Sequence, residues 1–401
     1  MELKKTFTYI DLFAGIGGFH CAMDNVSDGK AKCLFASEID KEACQTYELN
    51  HKLTPLGDIR EVDPSLYEIP DVICGGFPCQ TFSKAGKQDG FKDPRGTLFR
   101  EIIRIIESYP KDKRPKILLL ENVRNLISHD KGETWKTIKH EIKQVGYNVV
   151  EEPLIISPKD VGVPQLRDRA IILAVRSDLY SKPIELKIER KDRNLLSIDS
   201  ILEPGLGVGA KRITDEQKYC LDCWDDFMKG IDRKIIGFPI WSDYFVEGNK
   251  QNKNYPVWKN NFIKLNQELY FRNKIFIDEW LKKWSIRERL NPTCRKFEWQ
   301  VNGKINTVYK GIIQFRTSGI RVKQATESPA LVAMVHLPII GSKKRTISVK
   351  EAARLQSFPE DFQFKEKPHA AFKQLGNAVN VKVIETSFIE FIKYMGWKLE
   401  D

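Results

Sequence analysis

The sequence predicts an α/β protein: a doubly wound, mostly parallel sheet in its first half and a smaller mixed domain after it. Up to about residue 180, short apolar runs alternate with amphipathic segments. Runs that are apolar on both faces are typical of strands buried in a parallel sheet, and amphipathic segments are typical of the covering helices. Beyond residue 180 this rhythm ends, and six of the eight tryptophans (224, 241, 258, 280, 284 and 299) occur in one stretch. We therefore predict a first domain over residues 1–180 and a second over 181–365.

Six apolar runs are predicted to form the strands of the first domain. They lie at 8–13, 32–37, 71–74, 117–120, 147–150 and 170–175, with a predicted helix at 98–107. Further along, Ser348 and Glu351 have the spacing of a capping box, which predicts that a helix starts there and ends before Pro359. Residues 381–391 are predicted to form an amphipathic closing helix.

In the second domain, five large apolar residues recur at helical spacing, which places them on one helical face. They are Leu265, Leu269, Phe276, Trp280 and Trp284. We interpret this stripe as core packing, in preference to a surface that stacks on nucleic-acid bases. Residues 304–322 are predicted to form strands.

Composition limits the class of protein. With 401 residues and 41% hydrophobic content, the chain is long enough for two or three domains. It has neither an apolar run of membrane-spanning length nor the apolar core of a signal peptide, which predicts a cytoplasmic protein with no membrane partner. An excess of 65 Lys and Arg over 54 Asp and Glu gives a net charge of +11, which favours a polyanionic partner.

The eight cysteines are scattered in a way that suits reduced thiols. Cys220 and Cys223 have a metal-like spacing, but Cys294 is the only other thiol in that half of the chain. Structural zinc sites have four ligands. We therefore favour helix packing for this pair and expect no metal site.

Two segments carry candidate chemistry. Cys79, in the tetrapeptide 77–80, comes where a predicted strand ends, which is where doubly wound proteins place their ligand crevice, and Pro78 fixes the backbone before it. Glycines at 15, 17 and 18 follow the first strand and predict a nucleotide-binding loop, with Glu38 placed to bind ribose hydroxyls. The glycines alone could also form a plain turn. Their spacing is GxGG and not the GxGxxG of dinucleotide-binding loops, which disfavours a dehydrogenase.

Six ordered motifs resemble those of the C5-cytosine DNA methyltransferases. They are DLFAGIGGF (11–19), GGFPCQTFS (75–83), ENV (121–123), QLRDR (165–169), RTISVKEAARLQSFP (345–359) and QLGNAVNV (374–381). The resemblance covers roughly residues 7–180 and 310–395, and the stretch 185–340 corresponds to the family's target-recognition domain. It implies a Rossmann-like fold that uses S-adenosylmethionine, in a stand-alone, monomeric bacterial enzyme that protects host DNA beside a restriction endonuclease.

The resemblance also implies a covalent mechanism. Cytosine C5 is a poor nucleophile, so the Cys79 thiolate would first add to C6 and turn the ring into an enamine. Glu121 would donate a hydrogen bond to ring N3, for which its carboxyl must be protonated. Arg167 and Arg169 complete the implied catalytic set, and in an extended segment both would point to one side. One would orient Glu121 while the other meets the cytosine carbonyl or the DNA backbone, and the sequence does not divide these roles.

The methyl-donor site follows from the same motifs. The implied S-adenosylmethionine-binding residues are Phe13, Gly15, Ile16, Gly17, Gly18, Glu38, Ile39, Asp58, Ile59, Pro78, Leu98, Asn377 and Ala378. Asp58 is expected to end a strand and to bind the base edge. Asn377 can reach this site only if the C-terminal segment, 366–401, packs back onto the first domain.

A base inside a duplex cannot present C6 to a thiol, so the target cytosine must be flipped out of the helix. The candidate DNA-binding residues are Gln80, Ser83, Lys84 and Arg95 near Cys79, and Arg316, Thr317 and Arg321 in the second domain. A transfer-RNA cytosine-5 methyltransferase and a catalytically silent DNA-binding regulator remain as alternatives. The long recognition segment argues for DNA, and the presence of Cys79, Glu121 and the glycine loop argues for an enzyme.

Overall fold

A computed structural model describes residues 2–78, 98–231, 237–301, 305–331, 337–365 and 367–400. Its strands are β1 (Glu2–Lys4), β2 (Thr8–Leu12), β3 (Lys32–Ser37), β4 (Val72–Gly75), β5 (Ile117–Val123), β6 (Tyr147–Val149), β7 (Leu154–Ile156), β8 (Gln165–Leu166), β9 (Arg169–Arg176), β10 (Ile240–Trp241), β11 (Lys296–Gln300), β12 (Gly311–Arg316), β13 (Gly319–Gln324), β14 (Ser328–Pro329), β15 (Ile339–Ile340), β16 (Arg345–Thr346) and β17 (Lys398–Glu400). Its α-helices are α1 (Gly18–Ser27), α2 (Lys41–His51), α3 (Leu98–Glu107), α4 (Glu133–Gln144), α5 (Asp215–Gly230), α6 (Val257–Arg272), α7 (Lys274–Lys283), α8 (Ile286–Arg289), α9 (Val349–Leu355), α10 (Pro368–Asn377) and α11 (Val381–Tyr394). Within these ranges no helix has both the length and the apolar character needed to cross a membrane.

The chain forms two compact units. The first unit comprises Met1–Leu196, Pro329–Ala333 and Ala352–Asp401, and the second comprises Ser197–Ser328 and Met334–Glu351. The first unit is therefore assembled from three separate stretches of sequence.

The first unit contains a seven-stranded sheet in the order β3-β2-β4-β5-β9-β6, with β7 also paired to β9. Strands β3, β2, β4 and β5 are parallel to one another, whereas β9 runs antiparallel to β5, β6 and β7. All six predicted strands lie in this sheet, and the predicted helix 98–107 is α3. The α/β, mostly parallel prediction is confirmed, with an antiparallel edge that short apolar runs alone do not reveal.

The segment around Asp58 differs from its prediction. Asp58 does not end a strand; it caps a short 3-10 helix, Ile59–Glu61, and its carboxylate accepts a hydrogen bond from the Arg60 amide at 3.0 Å. Pro55 and Gly57 precede it: the proline has no backbone N–H to donate to a neighbouring strand, and the glycine has no side chain to pack against the sheet. A loop and a cap therefore replace the expected strand.

The C-terminal segment packs within the first unit. The rings of Phe7 and Phe388 lie 5.8 Å apart, and the Thr46 hydroxyl donates to the Gln374 amide oxygen at 3.2 Å. The last strand, β17, pairs in parallel with β1. The buried apolar face of α11 includes Val381, Ile384, Phe388 and Phe391, as its sequence pattern predicts.

The second unit contains a six-stranded mixed sheet in the order β10-β11-β13-β12-β15-β16. Its core is aromatic: the ring of Trp224 stacks on Phe297 at 4.8 Å and lies 5.2 Å from Trp280. Cys220 and Cys223 are buried in the same core on α5, so the helix-packing interpretation is confirmed. Of the range 304–322, predicted to form strands, residues 308–310 form a 3-10 helix, and β12 and β13 form an antiparallel pair that continues to residue 324; residue 304 lies outside the described ranges.

The apolar stripe is divided between two helices. Asn273, which leaves helical backbone angles, separates α6 from α7, so the prediction of one continuous helical face is wrong. Asparagine is a weak helix former, which fits a break at this position. Leu269 and Trp280 nevertheless belong to the core cluster, which confirms that the stripe is core packing.

The predicted capping box is present. The Glu351 amide donates to the Ser348 hydroxyl at 3.2 Å, and the Glu351 carboxylate accepts from the Ser348 amide at 2.8 Å. The helix behind it, α9, ends at Leu355, before Pro359.

Candidate active site

The glycine-rich segment between β2 and α1, which we name the donor loop (residues 13–18), is held by backbone conformations that favour glycine. Gly15 and Gly17 have φ of +56° and +89°, and Gly17 is the residue that caps α1. Phe13 also has a positive φ, +56°, a strained conformation for a side chain of its size. Such strain clusters at functional sites, where the surrounding structure maintains it.

Glu38 fixes this loop from the end of β3. One carboxylate oxygen accepts a hydrogen bond from the Gly15 amide at 2.8 Å. The other accepts hydrogen bonds from the amides of Ile39 and Asp40, also at 2.8 Å. A carboxylate offers about four acceptor positions, so Glu38 keeps capacity for a further donor such as a ribose hydroxyl. Beside it, the Ile39 side chain is 72% exposed and offers an apolar surface.

Two more of the predicted methyl-donor-site residues, Asp58 and Ile59, lie at the start of the 3-10 helix that follows α2. The Asp58 carboxylate is paired with the Arg60 guanidinium, whose Nε lies 3.0 Å from both of its oxygens. Hydrogen bonds from the Arg60 side chain and amide hold the pKa of Asp58 below its ordinary value. Ile59 is buried. Asp58 is therefore a stable anion at neutral pH, available to a hydrogen-bond donor.

The C-terminal segment meets the donor loop at Gly18. A Cβ atom on Gly18 would lie 2.6 Å from Val379 Cγ2 and 2.9 Å from the Val379 carbonyl oxygen. Asn377 ends α10, two residues before this contact, and Ala378 follows it. The structure thus brings Asn377 and Ala378 close to the donor loop, more than 350 residues away in sequence.

Cys79 lies outside the described residues, as do Gln80, Ser83, Lys84 and Arg95, but the backbone leading to Cys79 is well anchored. Phe77 is buried, with its ring 5.4 Å from that of Phe99. The Asn122 side chain, only 1% exposed, donates to the Phe77 carbonyl at 3.1 Å. Sequence reasoning missed this role for Asn122, although its position directly after Glu121 in the ENV motif was a usable signal.

Glu121 lies within β5 and faces the turn that precedes Cys79. A Cβ atom on Gly76 would lie 3.7 Å from Glu121 Oε2, and residue 76 is three positions before Cys79. Glu121 Oε1 is 2.7 Å from Arg169 Nε, and the two side chains are 11% and 18% exposed. Strands β5 and β9 pair antiparallel here, which brings the arginine to the carboxylate.

Arg167 and Arg169 have different surroundings. Arg167 is buried and donates to the carbonyl oxygens of Leu331 at 3.1 Å and Ala378 at 3.0 Å. Burial, and then the charge of Arg169, lower the pKa of Arg167. Arg169 therefore contacts Glu121, while Arg167 binds the chain segment that carries Asn377.

In the second unit, the predicted DNA-binding arginines share one carboxylate. Glu298 Oε1 is 2.6 Å from Arg316 Nη2, and Glu298 Oε2 is 2.8 Å from Arg321 Nε. The flanking residues Phe297 and Trp299 are buried in the core, so alternation along β11 places Glu298 on the opposite face of the sheet. Thr317 is exposed in the turn between β12 and β13. Sequence reasoning missed Glu298, because no local motif marks it.

Comparison with known proteins gives concordant results. The model of the family described as C-5 cytosine-specific DNA methylase matches residues 7–393. The chain is 32% identical to the Type II methyltransferase M.AluI of Cellulosimicrobium cellulans, across 98% of this chain and 93% of the relative. It is 31% identical to the Type II methyltransferase M.BanI of Aneurinibacillus aneurinilyticus, across 94% of each chain.

Among solved structures, the Entamoeba histolytica methyltransferase EhMeth is similar in fold, with a TM-score of 0.55 and 15% identity, covering 96% of this chain and 98% of that one. Six ordered motifs, a donor loop contacted by the C-terminal segment, and a family match over nearly the whole length lead to the same conclusion. The chain belongs to the family of C-5 cytosine-specific DNA methylases.

Proposed function

We propose that this protein transfers a methyl group from S-adenosylmethionine to C5 of a flipped-out cytosine in double-stranded DNA, through a covalent bond between Cys79 and C6. The observation that carries the proposal is the ion pair between Glu121 and Arg169, at 2.7 Å, beside the turn that leads to Cys79. The same unit holds the donor loop, so the residues that we propose as acid and nucleophile belong to the same unit as the proposed methyl-donor site.

The donor loop and the residues beside it fit S-adenosylmethionine. Glu38 has acceptor capacity for the ribose hydroxyls, Asp58 offers a second acceptor, and exposed Ile39 can cover an apolar ring face. The space beside Gly15 is open, which lets a ligand approach the main chain closely there, whereas Gly17 and Gly18 make room for His51 and Val379. When bound, S-adenosylmethionine supplies an electrophilic methyl group attached to a sulfonium.

The residues of the chain then have distinct roles. The Cys79 thiolate adds to C6, which places negative charge on the ring and makes C5 nucleophilic. After methyl transfer, loss of the C5 proton to water and departure of the thiolate from C6 restore the aromatic ring. In its protonated form Glu121 donates to N3, where that charge accumulates, while its Oε1 accepts from Arg169 Nε, which fixes the orientation of the carboxyl group. Arg167 positions the Asn377–Ala378 segment through its bond to the Ala378 carbonyl, and Asn122 positions the main chain before Cys79.

DNA binding is supported by charge and by the second unit. A net charge of +11 suits a phosphate backbone. We assign target recognition to the second unit, with Arg316, Thr317 and Arg321 as contacts to base edges and phosphates. Near the nucleophile, Gln80, Ser83, Lys84 and Arg95 are assigned to the flipped cytosine and its flanking backbone.

The cellular role rests on the relatives. M.AluI and M.BanI are both named Type II methyltransferases. We assign to this protein the protection of bacterial DNA from a cognate restriction endonuclease. We assign the protein to the cytoplasm, as a monomer on DNA.

The decisive experiment is substitution of the nucleophile. Cys79→Ser is expected to keep DNA and S-adenosylhomocysteine binding but to lose methyl transfer by on the order of a thousandfold or more, because a serine hydroxyl is a much weaker nucleophile. Cys33→Ser, a half-buried thiol of the same unit, is the control and should remain active. Wild-type protein should also form a stable covalent complex with duplex DNA that contains 5-fluorocytosine. Retained turnover in Cys79→Ser, or labelling of transfer RNA alone, would refute the proposal.

A further inference from the structure

Two histidines lie stacked beside the donor loop. His20 is in the first turn of α1 and His51 is the last residue of α2. Their ring centroids are 4.0 Å apart, and the ring planes meet at 25°. None of the motif residues assigned above includes either side chain.

His51 contacts the loop directly. Its Nε2 is 3.3 Å from the Ile16 carbonyl oxygen. A carbonyl only accepts, so the hydrogen lies on Nε2 and the ring is a donor in this contact. A Cβ atom on Gly17 would lie 2.1 Å from the same Nε2. The glycine at position 17 thus makes room for the His51 ring as well as allowing the positive φ.

The histidine pair is enclosed and oriented. His20 Nδ1 is 2.8 Å from the hydroxyl of Tyr47, and the Tyr47 ring lies 4.6 Å from that of His51. The ring of Tyr9 meets His20 edge-on at 5.7 Å. Burial lowers the pKa of His51 to about 4, and burial together with the adjacent His51 lowers the pKa of His20 to about 3. Burial therefore favours the neutral form of both rings at neutral pH.

A metal site is the competing explanation. Ligand atoms of His20, Asp24 and His51 all lie within 4.8 Å of one another. However, nearly parallel stacked rings direct their nitrogen lone pairs side by side and not towards one point, and a zinc ion needs nitrogen ligands at about 2.0–2.1 Å. The hydrogen bond to Ile16 and the contact at Gly17 instead link the pair to the loop.

We infer that His51 is a positioning residue for methyl-donor binding: stacked on His20, it donates to the Ile16 carbonyl and holds the Ile16–Gly17 turn in its binding conformation. The inference rests on the proposed function, in which this loop binds S-adenosylmethionine. His51 acts through Ile16 and Gly17 and does not itself touch the reacting atoms.

The test uses two variants of the full-length protein that separate the hydrogen bond from His51 to Ile16 from the stacking of His51 on His20. His51→Phe keeps an aromatic face against His20 but has no N–H, and His51→Gln places an amide nitrogen near the position of Nε2. The Kd for S-adenosylhomocysteine is measured by calorimetry, and KM for S-adenosylmethionine and kcat are measured on duplex DNA. His51→Phe should raise Kd and KM about three- to tenfold with kcat within about twofold, the size expected for one lost hydrogen bond. His51→Gln should recover at least part of this loss.

A control separates positioning from general stability. His129 is a buried histidine of the same unit, with its Nδ1 2.7 Å from the Thr134 hydroxyl. His129→Gln should lower the melting temperature without changing KM for the methyl donor. If His51→Phe also lowers only the melting temperature, the inference is overturned.

The remaining outcomes are equally distinct. Equal loss in His51→Phe and His51→Gln would refute donation to Ile16. Stoichiometric binding of Zn²⁺ by the wild type, abolished in both variants, would make the pair a metal site and overturn the inference. If the wild type itself neither binds S-adenosylhomocysteine nor methylates DNA, the proposed function fails. If it does both and His51→Phe matches it, only the inference fails.

Discussion

The donor loop of the first unit differs in construction from the polar face of the sheet in the second unit, which carries Glu298, Arg316 and Arg321 and which we name the sheet face. In the donor loop, residues that are neighbours in sequence offer main-chain groups, such as the Gly15 amide, which donates to the Glu38 carboxylate. On the sheet face, Glu298, Arg316 and Arg321 come from three different strands and are held by side-chain ion pairs.

Under the proposed function, this difference predicts where the specificity for a DNA sequence resides. A site held by main-chain geometry tolerates few residue types, because glycine is needed for positive φ and for close contacts. An ion-pair cluster on the surface of a sheet can change its side chains without changing the backbone. We therefore expect changes in the first unit to affect every DNA sequence equally, and changes on the sheet face to affect which sequence is methylated.

The largest expected effect comes from Glu121→Gln. The amide keeps the shape of the side chain but cannot act as an acid, so kcat should fall about 10²- to 10⁴-fold. Single-turnover methylation of duplexes with preferred and altered sites should show the same loss on each. Glu133→Gln, at an exposed glutamate on α4, is the control and should behave as the wild type. A loss of kcat that depends on the DNA sequence would contradict the expectation that changes in the first unit affect all sequences equally.

Acid should destabilise the first unit before it affects the sheet face. The pKa of His51 is about 4 in the folded protein against an ordinary 6.5, so the unfolded chain binds more protons between these values. Stability from this group is complete above pH 6.5 and is lost as pH falls towards 4, by on the order of 3 kcal/mol.

The Glu298 carboxyl behaves differently. Burial opposes its ionisation, but hydrogen bonds from Arg321 and Arg316 outweigh burial and lower its pKa below the ordinary 4.5. The contribution of Glu298 to the free energy of unfolding is therefore present above pH 4.5 and is lost only at lower pH. Denaturant unfolding at pH 7, 5.5 and 4.5 should show that the free energy of unfolding falls with pH. We expect this fall to be smaller in His51→Gln than in the wild type, and equal to that of the wild type in Glu298→Gln. The opposite pattern would contradict the two pKa directions.

Gly17→Ala should weaken methyl-donor binding. A left-handed backbone costs a residue with a side chain about 1–2 kcal/mol, and the new Cβ would also overlap His51 Nε2. We expect at least a tenfold rise in KM for S-adenosylmethionine. Gly29→Ala is the matched control, since Gly29 has φ of +74° and open space around its Cβ position. An equal rise in KM in both variants would show that the contact with His51 contributes nothing.

Arg321→Ala should change sequence preference more than rate. Loss of a base-reading arginine typically costs about 1–3 kcal/mol of discrimination at one base pair. Methylation of a duplex library should show relaxed preference at one position, with a smaller effect in Glu298→Gln because the arginine remains. Arg272→Ala, an exposed arginine at the end of α6, is the control. A uniform fall across all sequences would assign Arg321 to backbone contacts only.

Much of the fold could be predicted from local pattern. All six predicted strands are present, because two-sided apolar runs such as 117–120 are stable only when buried on both faces. The donor loop was equally visible, since a turn with two positive φ angles demands glycine at those positions. The expected strand at Asp58 failed because a proline and a glycine prevented it.

The six motifs are enough to identify the family and to locate the donor loop, because each short segment contains residues that are close together in the fold. Only the tertiary structure decided which arginine meets Glu121, since both arginines fit the motif and the pairing of β5 with β9 selects Arg169. It also decided the partners of the distant residues: Arg167 with Ala378, Gly17 with His51, and Glu298 with two arginines. Such contacts depend on how helices and strands pack across the fold, and no local pattern records that packing.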